Sequence, residues 1–145
     1  MWVAIFNISL LLRNEDLNLE TVLRSLKKVG LTSLSGSDAG LLSPRLRENM
    51  SRETSCEEWI FIHKKAHELG ISSNAFMSYG HVEEIEDKIE HLVRIRDLQG
   101  DTEGFDFFSP FFLKEKSFFP SAVEDLKTIA ISRLFLDNIR HIQAS

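Results

Sequence analysis

Apolar residues recur at helical spacing along most of the chain. Val22, Leu23, Leu26 and Val29 share one face of a helix predicted over 19–29, with Asn18 as its cap and Gly30 as its stop. Leu17 and Val22 stand at the spacing of a hydrophobic staple across that start. Ser55 and Glu58 predict a capping box opening a second helix, whose Trp59, Ile62, His63, Ala66 and Leu69 form a stripe that Gly70 ends. A third helix is predicted from about Glu84 to Gln99, with Ile85, Ile89, Leu92 and Arg96 in register. Its solvent side would carry the pairs Glu84–Lys88 and Glu90–Arg94. Ser121 and Glu124 predict a further capping box and a helix to about Ile139.

Between these helices, Leu31–Leu34, Ile71–Met77 and Phe105–Phe108 read as strands, each entered through a glycine that follows a helix. Such alternation predicts parallel strands joined by right-handed crossovers. The strand starts lie 40 and 34 residues apart, and a complete (β/α)₈ barrel spends roughly 31 residues per unit. The predicted fold is therefore α/β: a partial (β/α) barrel of three to four units, one incomplete domain over 1–145. Residues 1–18 are poorly assigned, since Met1–Leu12 suits a strand or a helix equally. Three or four units cannot close a barrel.

Length and charge narrow the function. The chain has 145 residues, enough for one domain, and 17 basic against 22 acidic residues give a net charge of −5. That balance argues against a nucleic-acid surface. No apolar run reaches 18 residues, so no membrane span is expected, and the apolar start lacks the basic flank of a signal peptide. The single cysteine, Cys56, excludes an internal disulfide and fits a cytoplasmic protein. It also excludes any site that needs several thiolates from this chain alone.

In a βα architecture, ligands bind at the C-terminal ends of the strands. The loops expected there are Ser35–Ser43, Ser78–Glu84 and Ser109–Pro120. The first reads as a flexible turn or as a backbone cradle for a ligand. The second concentrates Tyr79, Gly80, His81 and Glu83, suited either to gripping a polar ligand or to capping the next helix. The third lies in a stretch, Phe105–Phe119, that holds seven of the eleven phenylalanines, read as core or interface before a ring-binding pocket. His63 and His67 stand one helical turn apart, but Lys64, Lys65 and Ala66 between them lack the glutamate of a zinc protease motif. They read as packing residues, as do His91 and His141. Cys56 at a helix start is expected to have a somewhat lowered pKa and no catalytic partner.

Several words along the chain then become legible together. Trp59–His63, Ala66–Ile71, Asn74-Ala75, Tyr79–Glu83, His91-Leu92, Arg96–Gln99 and Ser132–Ile139 resemble the radical S-adenosylmethionine aminofutalosine synthase family of the futalosine route to menaquinone. The likeness runs from about Leu19 to Ala144. It implies a barrel that binds S-adenosylmethionine and a [4Fe–4S] cluster and adds a 5′-deoxyadenosyl radical to a carboxyvinyloxybenzoate. It also implies that Tyr79, His81 and Glu83 border the cofactor. The family's Cys-x₃-Cys-x₂-Cys loop has no counterpart here, and the family continues into further strands where this sequence reaches His141–Ser145.

Departures concentrate in the loops. The family's Pro-Gly-Gly-Gly-Ala-Glu turn corresponds to Ser35–Gly40, which loses the carboxylate. Its Ile-Pro-Leu-Ala-Phe-His-Pro corresponds to Ser109–Glu115, with Lys114 in place of histidine. Ala75–His81 is better kept. The expected function is thus a fragment or homologue of the synthase, inactive alone and taking a small-molecule substrate when complete. The alternatives are a non-catalytic nucleoside-binding or protein-interaction partial barrel, and a decayed remnant. Open edges and the crowded Phe105, Phe107, Phe108, Phe111 and Phe112 predict self-association or pairing with a complementing half-barrel.

Overall fold

The computed structural model describes residues 2–15, 17–37, 40–49, 54–80, 82–113 and 122–144. In chain order the elements are β1 (Trp2–Ala4), α1 (Ile5–Glu15), α2 (Leu19–Lys28), β2 (Ser33–Gly36), α3 (Pro44–Asn49), α4 (Cys56–Glu68), β3 (Ser72–Tyr79), α5 (Ile85–Thr102), β4 (Phe105–Phe112), α6 (Ala122–Phe135) and β5 (His141–Ile142). All five strands are parallel and lie side by side in chain order. A doubly wound sheet would reverse its strand order at a switch point. This one does not, so its winding is that of a partial barrel.

The helices pack on one face. Ser73 meets His63 and His67 of α4, Phe105 lies against Trp59, His63 and His67, and Phe108 lies against His91 of α5. The opposite parity has contacts within the sheet: Phe76 with Phe107 and Phe111, Asn74 with Gly36, and Ser109 with Gln143. Among the described residues, no helix contact is recorded for this second face. A bulge keeps the parities in step. Ser73 pairs with Phe105 and Asn74 with Phe107, which leaves Asp106 as an extra residue on β4.

The N-terminal segment is both of the predicted alternatives in turn, a three-residue strand and then a helix. The strands run further toward the mouth than predicted, to Gly36, Tyr79 and Phe112. Pro110 does not stop β4. Phe108 O accepts from Gln143 N on the β5 side, so the missing Pro110 amide faces that same side, beyond the two residues of β5. The five phenylalanines are also less exposed than expected. β5 pairs beside them, Phe105 and Phe108 are buried, and Phe107, Phe111 and Phe112 are half-buried.

Helix starts follow their caps. Asn18 Oδ1 accepts from the amides of Glu20 and Thr21, although Leu17 and Val29 are exposed rather than stapled or packed. Ser55 Oγ accepts from Glu58 N at 3.1 Å. The reciprocal half of that box is not used, because the Glu58 carboxylate instead accepts from Ser9 at 2.5 Å and Arg13 at 2.8 Å, tying α1 to α4. α5 rotates differently from its apolar periodicity: Ile85 and Ile89 are exposed, while His91, Leu92, Ile95, Leu98 and Gln99 are buried. Polar groups turn inward there because they are bonded, as the next section details. Glu84 caps α5 in a box with Asp87 rather than pairing with Lys88, whereas Glu90 and Arg94 pair at 2.9 Å. α6 ends at Phe135, short of Ile139, and the Ser121 half of its predicted box lies outside the described residues.

Candidate functional site at the mouth of the sheet

The C-terminal ends of β2, β3 and β4 form the mouth. At the end of β2, Gly36 is forced by packing: a Cβ there would sit 2.3 Å from the Asn74 carbonyl and 2.9 Å from the Trp59 ring. Its amide donates to Asn74 Oδ1 at 3.2 Å, and Ser35 and Ser37 bond to each other beyond it. The chain that follows is tied down at three points. Gly40 O accepts from Ser78 N, Leu42 N donates to His91 Nδ1 at 3.0 Å, and Ser43 Oγ donates to Asp87 Oδ1 at 2.6 Å.

Asp87 is the hub of these ties. It also accepts from both ends of the Arg45 guanidinium and from Glu84 N at 2.8 Å. Arg45 foremost, with Ser43 and the Glu84 amide, holds its carboxyl down to about 2. Buried His91 must be neutral to accept from Leu42, and burial pushes it down to about 3. Residue-by-residue reading missed Asp87, Arg45 and His91 as mouth-building groups. The Glu84-x-x-Asp87 capping pattern was a usable signal for the first.

Of the three residues expected to border a cofactor, the two that the structure describes, Tyr79 and Glu83, diverge. Tyr79 turns toward the helical layer, where its hydroxyl donates to Asp125 Oδ1 of α6 at 2.7 Å; burial and that carboxylate raise its pKa. Lys88 Nζ lies 5.3 Å from its ring centroid. Glu83 folds back, its carboxylate accepting from Gly80 N at 2.5 Å with Lys88 Nζ 3.5 Å away. Gly80, at φ 92°, permits that turn, and a Cβ there would enter the Phe112 ring. His81 lies outside the described residues, as do Asp38 and Ala39 of the first loop and Lys114 of the third.

The other candidates sit elsewhere. Thr102 Oγ1 donates to Leu98 O, so His67 Nδ1–H donates to Thr102, Ser73 Oγ donates to His67 Nε2, and His63 Nδ1–H donates to Ser73. This relay lies at the start of β3, the end remote from the mouth. Both histidines are neutral, with burial pushing His67 to about 4 and His63 well below its usual value. They are packing residues, as expected. Cys56 corrects an expectation of a lowered pKa: burial raises its thiol pKa, outweighing the nearby Arg47 and Arg94. A single buried thiol does not fit a [4Fe–4S] cluster, which needs several thiolates. Among the described residues, no group of three or more His, Cys, Asp or Glu side chains is placed to hold a metal ion. No described helix is long and apolar enough to cross a membrane.

The most recognisable sequence words meet at that remote end. Arg96 donates to Phe135 O at 2.6 Å and pairs with Asp137 at 3.1 Å. Gln99 accepts from Phe105 N and donates to Asn138 O. Asn138 returns a bond to Arg96 O, and Arg133 donates to Ile139 O. Arg96–Gln99 and Ser132–Ile139 thus form one clasp between α5 and the turn into β5.

No family model matches the chain. It is 39% identical to the aminodeoxyfutalosine synthase of Thermus thermophilus over 133 residues, 84% of this chain and 36% of that protein. It is 37% identical to the 5-amino-6-(D-ribitylamino)uracil–L-tyrosine 4-hydroxyphenyl transferase 2 of Methanosarcina mazei, over 89% of this chain and 37% of that one. The aminodeoxyfutalosine synthase of Streptomyces coelicolor matches at 33% over 84% and 36%. The chain therefore spans well under half the length of these curated relatives. Together with the singly wound parallel sheet, these matches make the chain a partial homologue of the proteins it resembles, similar over most of its own length to the aminodeoxyfutalosine synthases and about equally to the 4-hydroxyphenyl transferase.

Proposed function

We propose that the chain forms one wall of a radical S-adenosylmethionine barrel of the aminodeoxyfutalosine synthase type, and that it carries the chamber wall rather than the cluster. The observation that carries this reading is that, among the described residues, the recorded side-chain contacts between helices and sheet fall on one face. Five parallel strands bring Ser35, Asn74, Phe76, Ser78, Phe107, Ser109 and Phe111 onto the face opposite the helices. In barrel enzymes that face lines the interior. Tyr79, His81 and Glu83, at the end of β3, are the residues proposed to border S-adenosylmethionine. Tyr79 and Glu83 would have to exchange their bonds to Asp125 and Gly80 to do so. The cluster must be held by cysteines from beyond these 145 residues, and reaction in a reducing cytoplasm suits the free thiol.

The transferase reading rests on the Methanosarcina match, whose identity is close to that of the Thermus synthase. One experiment addresses both. The chain is reconstituted anaerobically with iron and sulfide, alone and with the cysteine-loop portion of the Thermus synthase. The carboxyvinyloxybenzoate is offered in one arm, tyrosine with the ribitylaminouracil in the other. Alone, the chain should hold no stoichiometric cluster and release no 5′-deoxyadenosine; the mixture should release it and form product in the first arm. About four irons per isolated chain would overturn the reading. Product only in the second arm would favour the transferase. Binding without turnover would favour a non-catalytic partial barrel. The free edges of β1 and β5 make self-association the proposed behaviour of the chain by itself.

A further inference from the structure

We propose that Asp87 and His91 are positioning residues shared by the two loops at the mouth. One turn apart on α5, they lock the chain leaving β2 and the turn leaving β3 into a single body. The proposal deepens the proposed function and rests on its reading of this end of the sheet as the cofactor side.

The need for a lock follows from the register. β2 stops at Gly36, opposite Ala75, whereas β3 runs on to Tyr79. Past that last pair β3 has no neighbouring strand on this edge, and its backbone groups there need other partners. Gly40 O supplies one, accepting from Ser78 N at 3.0 Å. The His91 ring stands in the same gap. Its Nδ1 accepts from Leu42 N at 3.0 Å. Its Nε2 turns toward the Phe76 carbonyl, although no hydrogen bond is recorded for it among the described residues. A neutral imidazole has one acceptor and one donor nitrogen, as a peptide unit has one of each. The ring thus stands in for a rung of the ladder between β3 and the chain after β2, and Phe108 lies against it at 5.9 Å.

Asp87, one turn earlier, lies on the same side of the helix. From the β2 side its carboxylate accepts from Ser43 Oγ at 2.6 Å and from the Arg45 guanidinium. From the β3 side it accepts from Glu84 N at 2.8 Å. Glu84 follows Glu83, whose own carboxylate closes the turn on Gly80 N at 2.5 Å. Both loops therefore end on Asp87, and His91 holds the first of them one turn further along. Both side chains are buried, so water does not replace a partner that is lost. Release of either loop takes support from the other, and coupling of this kind is reciprocal.

The test reads amide hydrogen exchange in the full 145-residue chain. Rates at the mouth are taken relative to Phe105 N, which Gln99 holds at the far end of the sheet, so that global loosening cancels. His91→Leu removes the acceptor and keeps an apolar group of comparable size. His91→Asn keeps an oxygen acceptor where Nδ1 stood. The leucine variant should speed relative exchange of both Leu42 N and Gly80 N about tenfold, although Gly80 is bonded to Glu83 and not to His91. The asparagine variant should bring both back to within about twofold of the parent. Acceleration at Leu42 alone would make His91 a local packing residue and overturn the proposal. So would unchanged relative rates, or no recovery with asparagine. In the reconstituted mixture, the leucine variant should raise KM for S-adenosylmethionine about tenfold with kcat little changed, and a fall in kcat alone would overturn the positioning role. A parent mixture without activity would count against the proposed function, and the exchange rates would still decide this proposal.

Discussion

The two ends of the sheet are built differently. At the N-terminal ends of β3 to β5, side chains hold the chain together: Gln99 brackets Phe105 and Asn138, Asn138 donates to the Arg96 carbonyl while Arg96 donates to that of Phe135, and the His63–Ser73–His67–Thr102 relay joins α4, β3 and α5. At the C-terminal ends, loops hold each other through the Asp87 hub, His91 and the Gly80–Glu83 turn. Of the words that make the sequence recognisable, Ala66–Ile71, Arg96–Gln99 and Ser132–Ile139 belong to the first end, where they fasten the sheet to its helices.

Acid should break both ends, and this is the largest expected effect. The folded pKa values of His63, His67 and His91 are depressed, so the unfolded chain binds protons that the native state refuses. Stability should be fully present above about pH 6.5 and fall as pH drops, each histidine contributing roughly 1.4 kcal/mol per pH unit until its folded value is reached. Urea midpoints from pH 7 to pH 4 measure the slope, and His67→Gln should reduce it by about one proton. A flat profile would mean that the relay is not buried and neutral.

The remaining changes separate the ends. Gln99→Ala strands the buried Phe105 amide and should cost about 3 kcal/mol in denaturant unfolding. Asp87→Asn removes the charge that Arg45 and Ser43 address and should cost about 2 kcal/mol at pH 7. That difference should shrink between about pH 4 and pH 2, because a depressed carboxyl pKa stabilises only above its unfolded value. Glu83→Gln keeps an acceptor for Gly80 N and should cost less than about 1 kcal/mol. In a reconstituted enzyme, a much larger loss in cofactor use than in melting temperature would make Glu83 a ligand contact; equal small losses would leave it a turn-closing residue.

Much of the scaffold was legible because its signals are local. Asn18 and Ser55 announce their helices by caps, the glycines at 30, 70 and 104 mark the returns to the sheet, and the alternation of helix and strand gives the parallel topology. What escaped depends on partners distant in sequence. The inward face of α5 departs from its apolar spacing because His91 and Gln99 are buried by bonds to Leu42 and Phe105, which hydrophobic spacing cannot register. The spacing from Ser55 makes Glu58 a cap partner, yet Ser9 and Arg13 claim it across 49 and 45 residues. Tyr79 stands at the end of β3, but alternation along that strand turns its ring to the helices.

The extra residue on β4 makes that strand a phase-sensitive signal. Phe105 and Phe108 are three positions apart, an odd interval that would place them on opposite faces of an unbroken strand, yet both meet the helices because Asp106 inserts half a period between them. Asp106 is therefore a place where β4 can lose a residue without changing face: its removal would close the bulge and leave Phe105, Phe107 and Phe108 opposite Ser73, Asn74 and Ala75, as they are now. A deletion further along, at Ser109, has no spare residue to absorb it and would carry Pro110, Phe111 and Phe112 to the opposite faces. The same one-residue loss is thus silent at one position of the strand and a frame error three residues on, at the next pleat without slack.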